Sequence, residues 1–332
     1  MDQMDTLTAK EADLAALPVI DLSRLTSEDA RVRDEEARAL RAACVGDGFF
    51  YVGGHGVAPE TLEALFAAAK AFFDLPLPEK DALNIGGSPV LRGYTPLLAE
   101  NTDVTARGDL HEAFDIGGTL YDGSPGEAFN RYPAAAPGLE PAMTAYWAEM
   151  LRVARALMSG FALALDLPAD YFASVLTNPQ AFLRVLHYPP QDQSAGGGID
   201  ADQIGIGAHS DYESLTILAL DENRALQVSD GAGGWLWVDR RPGTFVVNIG
   251  DQMARWTNDL FRSTVHRAIN LTGRRRYSIP FFFGPNPEAL IAPLPGCAGP
   301  DRPARYEPIL AGDYSQRRKA ASHYGEWPAE GE

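Results

Sequence analysis

The sequence predicts a mainly β fold with flanking helices, of the β-sandwich or jelly-roll kind. Three observations carry this. From about residue 180 onward, short apolar runs alternate with turn clusters at regular spacing. The helical patterns come mostly before those runs, so the helices should cover the outside of one sheet. No internal repeat or low-complexity tract interrupts the 332 residues, so a single elaborated domain over 1–332 is expected.

The elements follow in order. Residues 17–22 read as a short strand. Ser27 is suited to N-cap the next helix, on which Val32, Ala37, Leu40 and Cys44 recur at helical spacing. Asp47-Gly48 ends that helix, and 49–52 is a strand. Pro59 opens a further helix whose apolar stripe includes Leu62, Leu65, Phe66, Ala69, Phe72 and Phe73. A long helix over 141–165 buries Met143, Trp147, Met150, Leu151, Ala154, Leu157, Met158 and Phe161. Strands are predicted at 182–188, 204–208, 215–220, 225–228, 235–238, 244–249, 263–270 and 277–283, and a closing helix at 309–323. The polar stretch 191–203 contains Gly196-Gly197-Gly198 and reads as a loop, either a linker or a lid.

Composition bounds the function. A net charge of −17 argues against nucleic-acid or anionic-membrane partners, whose phosphates would be repelled. The two cysteines, Cys44 and Cys297, are far apart and read as reduced thiols in a cytoplasmic protein. The acidic start of the chain lacks the apolar run of a signal peptide, and no run of about 18 apolar residues suggests a membrane span.

The chemistry is concentrated in His209-Ser210-Asp211, His266 and Arg276-Tyr277-Ser278. Two imidazoles and one carboxylate form a facial triad that leaves metal positions open, the usual ligand set of non-haem Fe(II) oxygenases. His209 and Asp211 are two apart, so on a strand both would face the same way. An isolated histidine is more often an ordinary hydrogen-bonding residue. Here that reading would have to explain an H-x-D, a distant strand histidine and an R-x-S together. Arg276 and Ser278 also share a face, where a guanidinium and a hydroxyl can grip an organic acid. The apolar run 279–283 places Arg276 at the start of a buried strand, and a buried arginine needs an anion. Arg274 and Arg275 read as surface residues. A zinc hydrolase is disfavoured, because no H-E-x-x-H occurs.

Taken together, these residues resemble the isopenicillin N synthase-like Fe(II)/2-oxoglutarate dioxygenases over nearly the whole chain. The marks include Leu17-Pro18-Val19-Ile20-Asp21-Leu22-Ser23, Gly48-Phe49-Phe50-Tyr51-Val52, Arg92-Gly93-Tyr94 and His111-Glu112-Ala113-Phe114-Asp115. They continue with His187-Tyr188-Pro189-Pro190, His209-Ser210-Asp211-Tyr212, Asn248-Ile249-Gly250-Asp251, Trp256-Thr257-Asn258, His266-Arg267 and Arg276-Tyr277-Ser278.

The resemblance implies a double-stranded β-helix (jelly roll), with a helical and mixed part over about 1–178, a jelly-roll core over about 179–290 and a C-terminal extension over 291–332. It implies Fe(II) on His209, Asp211 and His266, with O2 and 2-oxoglutarate as cosubstrates. The distal carboxylate of 2-oxoglutarate would sit on Arg276 and Ser278, with Tyr188 reaching a carboxylate. Arg92, Tyr94, Tyr212 and Phe283 would contact a small-molecule substrate, although Arg92 also reads as a surface ion-pair residue. Succinate and CO2 would be released as the substrate is hydroxylated, desaturated or cyclised. A monomer or weak homodimer acting in secondary metabolism is expected. Many relatives have Asn in place of Leu186 and Tyr in place of His187. His187 reads as a core residue or a donor behind the site, His111 as structural, His55 as a turn histidine and His323 as solvent-facing. Two alternatives stay open: an Fe(II) oxidase that needs no 2-oxoglutarate, and a non-catalytic protein that binds a small acid.

Overall fold

A computed structural model describes residues 17–102, 108–190 and 204–324, with side chains described to 318. The readings of the N-terminal residues, the 191–203 loop and the His323 side chain lie outside the described residues. The major sheet has eight strands in the order β1 (Val19–Asp21), β2 (Phe49–Gly53), β10 (Phe245–Ile249), β7 (Leu215–Leu220), β12 (Arg276–Phe283), β5 (Ala181–Tyr188), β4 (Glu112–Gly117) and β3 (Gly93–Thr95). The minor sheet runs β6 (Ile206–His209), β11 (His266–Ala268), β8 (Leu226–Ser229), β9 (Trp235–Val238). A short pair, β13 (Leu290–Ile291) and β14 (Ile309–Leu310), follows. All pairs are antiparallel except β1 with β2. The two larger sheets form the jelly roll, and neither closes into a barrel.

The helices are α1 (Leu22–Leu25), α2 (Ala30–Val45), α3 (Pro59–Phe73), α4 (Leu77–Asp81), α5 (Leu139–Ala164), α6 (Asp251–Trp256) and α7 (Ala311–Tyr324). Asp29, and not Ser27, caps α2: its carboxylate accepts the Arg31 N–H at 2.9 Å, while Ser27 Oγ accepts the Asp29 N–H at 3.2 Å. Asp29 stands immediately before the first helical residue, Ala30, so its acceptor meets the first free amides. Gly48 turns α2 into β2 at φ +67°, and a Cβ there would lie 2.0 Å from the Arg262 carbonyl oxygen.

The main core lies between the helices and the outer face of the major sheet. On α5, Met143, Tyr146, Met150, Val153, Leu157 and Phe161 are all fully buried, at the period of one helix face. They join Tyr277, Ile279, Phe281 and Phe283 of β12 in one apolar cluster. The alternate residues of that strand, Arg276, Ser278, Pro280 and Phe282, line a cavity between the sheets. One strand thus supplies both the core and the site.

A buried polar knot ties the first half of the chain to the second. Glu112 is 4% exposed, and its Oε2 accepts from Lys80 Nζ at 2.7 Å and from the Tyr94 hydroxyl at 2.6 Å. His187 Nδ1 lies 2.7 Å from Glu112 Oε1, and His187 Nε2 accepts from Arg275 Nε at 2.9 Å. An arginine only donates, so the His187 proton sits on Nδ1 and points at Glu112. Arg275, read from sequence as a plain surface residue, therefore also fixes this ring, while its other end pairs with Asp74.

Candidate metal centre and its cavity

The two imidazoles meet across the minor sheet. His209, at the end of β6, is the direct cross-strand partner of His266, at the start of β11, with ring centroids 4.3 Å apart. Asp211 follows just beyond β6. Its Oδ1 lies 3.7 Å from Nε2 of His209 and 3.7 Å from Nε2 of His266. The three ligand atoms lie within 4.8 Å of one another, and no other such group of three occurs among the described residues.

Each ligand is aimed by a partner behind it. His209 Nδ1 is 2.8 Å from the Gly207 carbonyl oxygen, and His266 Nδ1 is 3.2 Å from that of Thr264. A carbonyl only accepts, so Nδ1 carries the proton and Nε2 offers its lone pair to the centre. Asp211 Oδ2 accepts from Thr216 Oγ1 at 2.5 Å and from Asn248 Nδ2 at 2.7 Å, which leaves Oδ1 for a metal. Burial pushes the Asp211 carboxyl up, but His266, His209 and these two donors outweigh it and hold it below its usual value. Burial first, and the adjacent His209 second, press His266 down to about 4. An ionised carboxylate beside an unprotonated imidazole is what a cation requires.

The triad opens on a cavity of about 420 Å3. At one end lies Arg276, directly opposite Tyr188 across β12 and β5, with its guanidinium 4.4 Å from the centre of the tyrosine ring. The Tyr188 hydroxyl lies 3.4 Å from Ser278 Oγ. Arg276 is 1% exposed, yet its Nε and Nη1 have no hydrogen-bond partner among the described residues. Asp221 feels this charge, but its carboxylate accepts from the Tyr277 N–H and from Asn223. A buried cation left this way is costly unless an anion meets it, and a carboxylate matches its fork. The residues present therefore fit both an iron ion and an organic acid beside it.

Comparison with known proteins gives this geometry its family. Residues 17–138 match the family model of the non-haem dioxygenase in morphine synthesis N-terminal region. Residues 179–285 match that of the 2OG-Fe(II) oxygenase superfamily. A 2-oxoglutarate-Fe(II) type oxidoreductase of Emericella nidulans is 34% identical over 310 residues, covering 90% of this chain and 88% of that protein. The chain belongs to the isopenicillin N synthase-like 2-oxoglutarate–Fe(II) oxygenases. A homoarginine-6-hydroxylase of Oryza sativa is 31% identical over 326 residues, covering 91% of this chain and 96% of its own. Among solved structures, a full-length Neurospora crassa protein in complex with alpha-KG and thymine superposes with a TM-score of 0.83 at 29% identity, covering 95% of this chain and 99% of that one. The protein is thus an enzyme, an Fe(II)- and 2-oxoglutarate-dependent oxygenase, with O2 as its second cosubstrate.

Beyond the triad the oxygenase cavity has an aromatic and apolar lining, a charged wall at Arg184, and further charges at Glu213 and Arg267. Phe182 and Phe282 lie 5.7 Å apart, and Leu91, Leu186 and Tyr212 extend the lining. The charged wall is Arg184, which bonds both oxygens of Asp115 (2.8 and 2.8 Å) and both of Glu100 (2.7 and 2.8 Å). His111, read as structural, spans Glu100 at 3.2 Å and the Gly205 carbonyl at 2.8 Å. His55 accepts the Val57 N–H at 3.1 Å within its own turn.

Of the four expected substrate contacts, Tyr212 lines the cavity. Arg92 is 5% exposed, so it is not a surface ion-pair residue. Its guanidinium lies behind Phe182, 4.8 Å from the ring centre and against the backbone of Gly117. Two expectations need correction. Tyr94 turns toward the helices, where its hydroxyl is taken by Glu112. Phe283 points into the main core and is fully buried there, because it lies an odd number of residues from Arg276 on the same strand. Its neighbour Phe282 is the cavity residue. Phe283→Ala is accordingly expected to lower stability by about 3–5 kcal/mol, and Phe282→Ala by clearly less while widening the cavity. Denaturant melts of the two variants decide this, and the opposite ranking would sink the face assignment.

Sequence reasoning also missed Arg184, Phe182, Thr216 and Asn248. A signal existed for the first two: counting back by twos from Tyr188 along β5 gives Leu186, Arg184 and Phe182, all on the cavity face.

Proposed function

We propose that this oxygenase holds Fe(II) on His209 Nε2, Asp211 Oδ1 and His266 Nε2, and takes the distal carboxylate of 2-oxoglutarate on Arg276 and Ser278. The observation that carries the reading is the buried Arg276, two of whose nitrogens have no partner among the described residues, in the lining of the triad's own cavity. Tyr188 orients both groups, stacking on the guanidinium and meeting the serine hydroxyl. When bound, the iron and its cosubstrate supply the oxidising chemistry, with succinate and CO2 as coproducts. The protein contributes ligand geometry, an anion grip and an apolar chamber that limits water.

The prime substrate in this reading is a small organic molecule held against Phe182, Phe282 and Tyr212. The chamber of about 420 Å3 supports that size class. So do relatives named for homoarginine or solved with thymine. The net charge of −17 supports a substrate other than nucleic acid. Anaerobic optical titration with Fe(II) and then 2-oxoglutarate tests the reading without knowledge of the substrate. A weak visible charge-transfer band that needs both additions is expected. Iron binding without the band would favour the oxidase reading, and no iron binding would end the triad assignment.

A further inference from the structure

Behind the triad lies a second carboxylate that touches none of the ligand atoms. Asp251 opens α6 and is 9% exposed. Its Oδ1 accepts from Ser263 Oγ at 2.6 Å. Its Oδ2 accepts from Ser210 Oγ at 3.1 Å and from the Tyr314 hydroxyl at 3.2 Å, and Arg318 Nη1 lies 3.0 Å away. Ser210 sits between the ligands His209 and Asp211. Ser263 sits three residues before His266. Tyr314 and Arg318 both belong to α7.

The backbone repeats the same links. The Asp251 N–H donates to the Asp211 carbonyl at 2.8 Å, and the Gln252 N–H to that of Tyr212 at 3.2 Å. Gly250 permits this approach, since a Cβ there would lie 2.0 Å from the Glu213 carbonyl oxygen. The Gln252 side chain reaches α7 through Ser315 Oγ at 2.9 Å. Arg318 also lies 4.5 Å from the ring centre of the cavity residue Tyr212 and donates to Ser210 Oγ at 3.4 Å.

We infer that Asp251 is a positioning residue: it clamps the His209–Asp211 segment to the segment leading into His266, with Arg318 of the closing helix as its counter-charge. The inference rests on the proposed metal assignment. A clamp that spans both segments adds to the β6–β11 pairing in fixing the separation between Asp211 Oδ1 and the two Nε2 atoms. The hydroxyls of Ser210 and Ser263 do this from opposite sides of one carboxylate. Closing helix and metal centre are therefore one mechanical unit, and losing a link should loosen the ligand set even where the fold survives.

The test uses Co(II) as the probe, added anaerobically to the full-length apoprotein, with affinity and visible ligand-field spectrum both read. Ser263→Ala and Arg318→Ala, each removing one partner of the carboxylate, are expected to weaken Co(II) by roughly tenfold or more, as loss of supporting bonds around a metal typically does. Both should also alter the spectrum, and Ser263→Thr, which keeps the hydroxyl, should restore it. Wild-type Co(II) affinity and spectrum in either alanine variant would overturn the inference, whatever happens to the melting temperature. Asp251→Asn extends the series, but the decision rests on the milder variants, which leave the carboxylate in place. If the wild-type protein itself failed to bind Co(II), the metal assignment would fall first and this inference with it.

Discussion

Replacing Arg276 by alanine is expected to weaken 2-oxoglutarate binding by about 2–5 kcal/mol, the usual consequence of removing one partner of a buried charge pair. That corresponds to roughly tens- to thousands-fold in affinity. The magnitude follows from burial. The guanidinium is 1% exposed, so its interaction with a carboxylate is not diluted by water. Among the described residues its Nε and Nη1 have no hydrogen-bond partner, so both are open to the ligand. Lysine should rescue only in part, since a point charge cannot form the two parallel bonds of the fork or stack as flatly on Tyr188. Anaerobic titration of the Fe(II) protein reads the affinity directly. Thermal shift offers a second readout, because a ligand stabilises the native state in proportion to how far its concentration exceeds its dissociation constant. Unchanged cosubstrate affinity in Arg276→Ala would refute the role.

His209→Ala, Asp211→Ala and His266→Ala are each expected to abolish iron-dependent turnover while leaving the fold largely intact. The three variants should differ in stability. Asp211→Ala strands the Thr216 hydroxyl and the Asn248 amide, two buried donors whose acceptor disappears. Each orphaned group costs about 1–3 kcal/mol. The histidines lose only one backbone bond apiece. Asp211→Ala should therefore melt lowest of the three. Full activity in any of them would refute the triad, and equal melting would refute the account of how the carboxylate is held.

Much of this was legible in the chain. The alternating patterns after residue 180 announced most of the strands, although β1 to β4 of the major sheet come before that point. The two-residue spacing in Arg276–Ser278 placed that pair on one face of β12, whereas β6 ends at His209, so strand alternation does not carry Asp211. The same alternation places Phe283, odd relative to Arg276, in the core. Tyr94 failed for another reason. Its partner Glu112 comes from a neighbouring strand, and no local pattern announces that pairing. Thr216 and Asn248 were hidden likewise, since their shared acceptor is reached only when β7 and β10 lie side by side. The helix α6 has six residues, too short to show a period, so its role in carrying Asp251 emerges only from the fold.

The direct pairing of His209 with His266 has a consequence for how the chain reaches its final state. β11 has only three residues, and its pairing with β6 is already irregular beyond the histidine. On its other side β11 pairs regularly with β8, His266 facing Val228, Arg267 facing Gln227 and Ala268 facing Leu226. A slip of one residue would carry His266 away from Asp211. Only the native alignment can complete the ligand set. Iron held on the proposed ligand set would draw any misaligned population toward that alignment by mass action.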